Sequence, residues 1–254
     1  MLGIQLPRAF PGEQAPPVEA RLYNGQMPSD VAVLQQTIAE CRLCPRLVRY
    51  REEVAATKRA AYRDCEYWGR PVPSLGSDNA RLLIVGLAPA AHGGNRTGRM
   101  FTGDRSGDFL FGTLHRFGFA NQAGSREPAD GLRLLDTYIT AAVHCAPPEN
   151  RPLPEEFATC RRYLKQELRL LQNVSVVVVL GRIAWQELLR ARKELNLSVP
   201  HPLPPFAHAA SCPLDTGTTM ICSYHPSQQN TSTGRLTQTM FDEVFRKARS
   251  LVGE

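Results

Sequence analysis

Four short apolar runs set the frame for this chain: Arg81–Gly86 (RLLIVG), Thr137–Val143 (TYITAAV), Ser175–Gly181 (SVVVVLG) and Thr219–Tyr224 (TMICSY). Each is far shorter than the roughly 20 apolar residues of a membrane span. None shows the polar–apolar alternation of a strand with one wet face. Continuous runs of this length are expected for a parallel sheet covered by helices on both faces. Helical spacing fills the stretches around them. Asp30 stands as a cap before Val31, Leu34, Ile38 and Cys41, and Asp108–Phe117 reads as a second helix. Pro154 opens a third, with Glu155 and Glu156 in its first turn and Phe157, Cys160, Leu164, Leu168 and Leu171 along one stripe. Arg182–Arg192 is a fourth, and Leu236–Val252 a fifth, with Met240, Val244, Ala248 and Leu251 predicted to face inward. The fold class is therefore α/β, a three-layer sandwich around a central four-stranded parallel sheet. Residues 1–28, rich in Pro, Gly and Gln and without periodicity, are predicted to be a flexible tail, and 29–254 a single domain.

In such a sheet, ligands bind beyond the carboxyl ends of the strands. Those are the places where the unusual segments begin: Gly86–Asp104, His144–Asn150, Gly181–Trp185 and His225–Arg235. Gly, Asn, His, Arg and Asp concentrate there, which predicts one cleft. The charge balance, 30 Lys and Arg against 24 Asp and Glu, suits a polyanionic partner without demanding one. The amino terminus lacks a basic start followed by an apolar core, so a cytosolic chain is expected. Its seven cysteines are an odd number, unsuited to a fully paired disulfide framework.

Cys41 and Cys44 form a C-x-x-C followed by Pro45, Cys145 follows the second run, and Cys160 lies one turn into the helix opened by Pro154. Four thiolates suit a [4Fe–4S] cluster or a zinc ion. The wide second spacing favours iron–sulfur over zinc. Cys145 and Cys160 can also be read as ordinary buried thiols. Cys65, Cys212 and Cys222 lack partners at ligand spacing and are assigned to packing.

Four segments in one order, CRLCPRL (Cys41–Leu47), GLAPAAHGGNRTGRMFTGD (Gly86–Asp104), AAVHCAPPEN (Ala141–Asn150) and SYHPSQQNTSTGRLT (Ser223–Thr237), resemble the uracil-DNA glycosylase superfamily, and most of all its type 5 branch. The resemblance runs from about Cys41 to Val252. It implies the same α/β sandwich and removal of uracil from DNA in bacterial or archaeal base-excision repair, by a monomer without membrane association. It also implies that Cys41, Cys44, Cys145 and Cys160 ligate a structural [4Fe–4S] cluster. Gly86, Leu87 and Ala88 would form the turn that approaches the flipped nucleotide. Phe101 would stack on the expelled base, Asp104 would serve the attacking water, and His225 would contact the base carbonyl. Asn150 would sit near the same pocket. The loop Pro226–Arg235, including Asn230 and Arg235, would enter the minor groove.

The chemistry gives those residue types a reason. A base must leave the stack before it can be cut, and an aromatic face offsets part of that cost. Bond cleavage leaves positive charge on the sugar and negative charge on the base, which a carboxylate and a donor stabilise. Asp104 is also readable as a helix N-cap, and Phe101 as core. Gly93, Gly94, Gly98 and Gly103 suggest close approach of a phosphate or backbone, and Arg96, Arg99, Arg105 and Arg235 are expected to meet phosphates. Many superfamily members carry Asp, Glu or Asn where this chain has Ala88, and an Asn where it has Ala141 and Ala142. Relaxed specificity is therefore expected, with uracil first and then hypoxanthine, xanthine or modified uracils. The rival readings are a non-catalytic metal-cluster DNA-binding module, an iron–sulfur redox protein and a hydrolase of free nucleotides.

Overall fold

The computed structural model describes residues 29–253. The segment 1–28 predicted as a tail lies outside the described residues. In chain order the elements are helices α1 (Asp30–Ala39) and α2 (Pro45–Thr57), strands β1 (Leu75–Gly76) and β2 (Leu82–Gly86), helices α3 (Gly94–Thr97) and α4 (Arg105–Arg116), strand β3 (Thr137–Ala141), helix α5 (Pro154–Leu170), strand β4 (Val176–Leu180), helix α6 (Arg182–Glu194), strands β5 (Ser211–Asp215) and β6 (Thr218–Ser223), and helices α7 (Gln228–Ser232) and α8 (Gln238–Val252).

The sheet runs β1-β3-β2-β4-β6-β5. Its four inner strands are parallel and coincide with the four apolar runs. The predicted four-stranded sheet is thus the middle of a six-stranded mixed one, since β1 and β5 add antiparallel edges. The edges escape a search for apolar runs because they are not apolar runs. β1 is two residues long, and β5 (SCPLD) is mostly exposed and carries Pro213, a residue sheets tolerate at their margins.

Alternate residues of the inner strands face opposite layers. Leu82, Ile84, Ile139, Val176, Val178 and Ile221 pack with Leu110, Phe111 and Leu114 of α4 and with Phe241, Val244, Phe245 and Ala248 of α8. Leu83, Val85, Tyr138, Val177, Val179 and Met220 pack with Ala184, Trp185 and Leu188 of α6. Each such side chain contributes about 1.5–3 kcal/mol on full burial, so both layers are held by many small increments. Two helix readings shift. Ser29, not Asp30, caps α1, accepting from Ala32 N at 3.3 Å. The inward stripe of α8 is Phe241, Val244, Phe245, Ala248 and Val252, while Leu251 is 44% exposed. The two Phe rings meet edge to face, centroids 5.0 Å apart at 66°, and both lie on the buried face. No described helix is long and apolar enough to cross a membrane.

Candidate active site and cysteine hollow

Three inner strands deliver residues to one place. Gly86 closes β2, Gly181 follows β4, and His225 lies two residues past the end of β6. Phe101 comes to the same place from the long loop after β2. Its ring lies against Gly86, where a Cβ would sit 3.0 Å from the ring edge, and its centroid is 6.1 Å from that of His225 at a 30° tilt. Phe101 adopts φ 51°, a left-handed conformation that costs a bulky residue free energy and marks a position held by its surroundings. A side chain at Gly86 would therefore press on the Phe101 ring.

Asp104 is half-buried and caps α4: its Oδ1 accepts from Gly107 N at 2.9 Å. The predicted helix from Asp108 thus begins at Arg105, and Asp104 is the N-cap that the sequence allowed. Its Oδ2 lies against Gly93, where any Cβ would collide with the carboxylate. Burial, aided by Asp108, raises the Asp104 pKa above the usual carboxylate value, against the backbone donors of Gly107 and Ser106 and the charge of Arg96.

The His225 ring nitrogens receive no hydrogen bond from the described residues, and burial pushes the ring's pKa down to about 4. It is a neutral imidazole at pH 7, free to bond a ligand. Asn230 sits behind it, its Nδ2 donating to His225 O at 2.8 Å. His225 and Asn230 line a hollow of about 200 Å³ with Gly181, Arg182, Phe206, Tyr224 and Arg235. The guanidinium of Arg182 stands 5.7 Å over the Phe206 ring, and that of Arg235 4.9 Å over Tyr224. Arg182, Phe206 and Tyr224 were not foreseen as site residues. An Arg directly after a strand was a usable signal for Arg182, but Phe206 comes from a proline-rich loop that gives none.

Phe101, Gly86, His225, Asn230 and Arg235 are thus brought together. Asp104 stands beside them at the head of α4 but does not line the hollow. Leu87 and Ala88 are half-buried and pack toward the cysteine region. Asn150 is exposed in the turn Pro148–Asn150, with φ 56°, and makes no contact with Phe101, Asp104 or His225 among the described interactions. The loop Pro226–Arg235 contains α7, capped by Ser227.

Several loop residues serve the protein itself. Arg99, expected at a phosphate, is buried: it pairs with Asp130 at 2.7 Å and donates to Thr102 Oγ1, Ser125 Oγ and Pro128 O. Arg96 donates to His92 O and Gly103 O and stacks 4.2 Å over Tyr62, so it braces the loop. Gly98 lies under the Trp68 ring and Gly103 against Arg96. Arg105 is exposed.

Cys41, Cys44, Cys145 and Cys160 line a single narrow hollow with Leu47, Val48, Arg51, His144 and Tyr163. Its elements are the end of α1, the start of α2, the loop after β3 and the first turns of α5. Cys160 Sγ accepts from His144 N at 3.3 Å, and Cys145 Sγ from Arg51 Nη1 at 3.0 Å. Burial raises the Cys145 pKa to about 11 and the Cys160 pKa further, so a cation would have to displace protons here. No group of three or more His, Cys, Asp or Glu among the described residues is close enough to hold a single metal ion. The cysteines share one hollow at a wider spacing.

The family described as the uracil DNA glycosylase superfamily matches residues 73–249. A type-5 uracil-DNA glycosylase of Thermus thermophilus is 54% identical over 218 residues, covering 86% of this chain and 96% of the relative. That of Mycobacterium bovis is 53% identical over 224 residues, 88% and 82% of the two chains. A type-4 enzyme of Thermotoga maritima is 28% identical over 180 residues, 70% and 80% of the two chains. With a family model matched over most of its length and with relatives at more than half identity covered over 82–96% of their own length, the chain belongs to the uracil-DNA glycosylase superfamily and, within it, to the type-5 uracil-DNA glycosylases.

Proposed function

We propose that this chain is a DNA glycosylase that hydrolyses the N-glycosidic bond of a flipped-out uracil in DNA, starting base-excision repair. The observation that carries the reading is the convergence of the Phe101 and His225 rings at the carboxyl ends of the inner strands, with the half-buried Asp104 beside them. Phe101 supplies the stacking face, worth about 1–3 kcal/mol per base. Gly86 leaves room for the edge of that ring at the strand end. His225, neutral above about pH 4, donates to the base oxygen as negative charge develops on the leaving base. Asp104 faces the sugar with its negative charge and holds the attacking water. Its Oδ1 is engaged by Gly107 N, which leaves Oδ2 for that task. Arg182 and Arg235, propped on aromatic rings at the rim of the hollow, meet DNA phosphates.

Excision extends to other deaminated bases, hypoxanthine and xanthine among them. Ala141 and Ala142 are both 2% exposed and packed in the core, so this stretch offers the base no edge-reading group. The four cysteines hold a [4Fe–4S] cluster. The donor set and the shared hollow support this, and the wide spacing suits a cluster better than one zinc ion. When bound, the cluster ties α1, α2 and α5 to the end of β3 and takes no part in bond cleavage.

The test is base release from defined oligonucleotides, wild type beside Asp104→Asn. Asn caps helices as well as Asp, so the fold is preserved. Loss of release with DNA binding intact is expected, and equal loss of both would favour the binding-module reading. Wild type confined to uracil would remove the broader specificity alone.

A further inference from the structure

Arg51 is the most conspicuous buried group that the chemistry above leaves unused. It projects from α2 into the cysteine hollow and is 1% exposed. Its sequence neighbour Glu52 turns outward to Arg42, and among the described residues Arg51 has no carboxylate partner. Nη1 donates to Cys145 Sγ at 3.0 Å and Nη2 to Cys41 O at 3.2 Å, while Nε is buried without any partner. Burying a guanidinium with no carboxylate partner and one donor unused is strongly unfavourable. The site needs negative charge. A [4Fe–4S] core held by four thiolates provides it, because the thiolates outnumber the charge of the core.

Resting on the cluster reading given above, we propose that Arg51 is the counter-cation of the cysteine centre, holding Cys145 and Cys41 in one fork. The same residue reaches the loop after β2. Its carbonyl accepts from Asn95 Nδ2 at 3.2 Å, and Asn95 is fully buried in α3, two residues from the Gly93 that lies against Asp104. Arg51 thus joins the cysteine centre to the loop carrying the catalytic carboxylate. Lysine would keep the charge but not the fork.

The experiment compares holoprotein purified without oxygen as wild type, Arg51→Lys and Arg51→Gln. Iron and sulfide content, loss of visible absorbance under an iron chelator, and the reduction midpoint are measured. Arg51→Gln should lose its cluster about tenfold faster, as expected when a charged hydrogen bond is removed from a buried site. Its midpoint should fall, because the reduced and more negative cluster loses its cation. Arg51→Lys should lie between. Amide exchange across Gly93–Thr97 should rise in Arg51→Gln, and unchanged exchange would remove the link to the loop. Wild-type chelation kinetics and midpoint in Arg51→Gln would overturn the proposal. If Arg51→Gln does not fold, Arg51→Lys decides: faster loss with an unchanged circular dichroism spectrum supports it, and a wild-type rate overturns it. Wild-type protein without iron or sulfide would sink the cluster itself, a different result from a loaded variant that behaves as wild type.

Discussion

The strand-end pocket and the cysteine hollow lie on the same domain and are built by opposite rules. The pocket is lined by residues that follow β4 and β6 together with Phe206; Phe101 and Asp104 stand beside it, and the His225 ring nitrogens take no hydrogen bond from the described residues. The cysteine hollow is walled by helices and apolar side chains, and it encloses the buried guanidinium of Arg51 and the ring of His144. One region presents its groups at the open ends of strands, and the other encloses them behind helices. Substitutions in the pocket should therefore remove chemistry with little loss of fold, and those around the cysteines the reverse.

The largest expected effect that would break this contrast is at Asp104. Asp104→Asn should lower single-turnover uracil release by about 10²–10³-fold or more with little change in melting temperature. A large loss of stability would make Asp104 a structural cap above all. Gly93→Ala should behave almost as severely, because its methyl would collide with the same carboxylate from the other side. Phe101→Ala should cost about 1–3 kcal/mol, roughly 5–150-fold in release of uracil from duplex DNA. A free uracil analogue titrated against both proteins separates stacking from misfolding. The acid side of the pH–rate profile sharpens the same point. Protonating Asp104 removes the anion, so release should fall as pH drops, with a midpoint above the ordinary 3.8. Because His225 stays neutral down to about pH 4, no second inflection should appear near 6.5. The smallest effect is at the rim: Arg235→Gln should reduce the salt dependence of DNA binding by about one counterion and leave the rate on bound DNA nearly intact.

The two regions were also legible to different degrees. The inner strands announced themselves because a strand buried on both faces has no polar residues to disguise it. The edges β1 and β5 did not, because solvent removes that requirement. Cys41, Cys44, Cys145 and Cys160 were grouped from identity and order, and the chain does bring them to one hollow. In the pocket, Phe101 and His225 follow from the resemblance of their two segments to the superfamily, and the chain brings the two rings together. Arg99 was misread because an arginine in a glycine-rich loop reads as a phosphate contact, while its partner Asp130 lies 31 residues away in sequence. Glycines 98 and 103 misled for the same reason: the neighbours that need the space, Trp68 and Arg96, are invisible along the chain. Arg51 gave no signal at all, since only its burial makes its charge unusual.

The contact between Gly93 and Asp104 has a practical corollary. A single added methyl should turn a cutter into a reader that still grips the lesion while leaving the base on its sugar. Such a protein would be a probe for mapping misplaced bases in genomes, reached without touching any group that contacts the base.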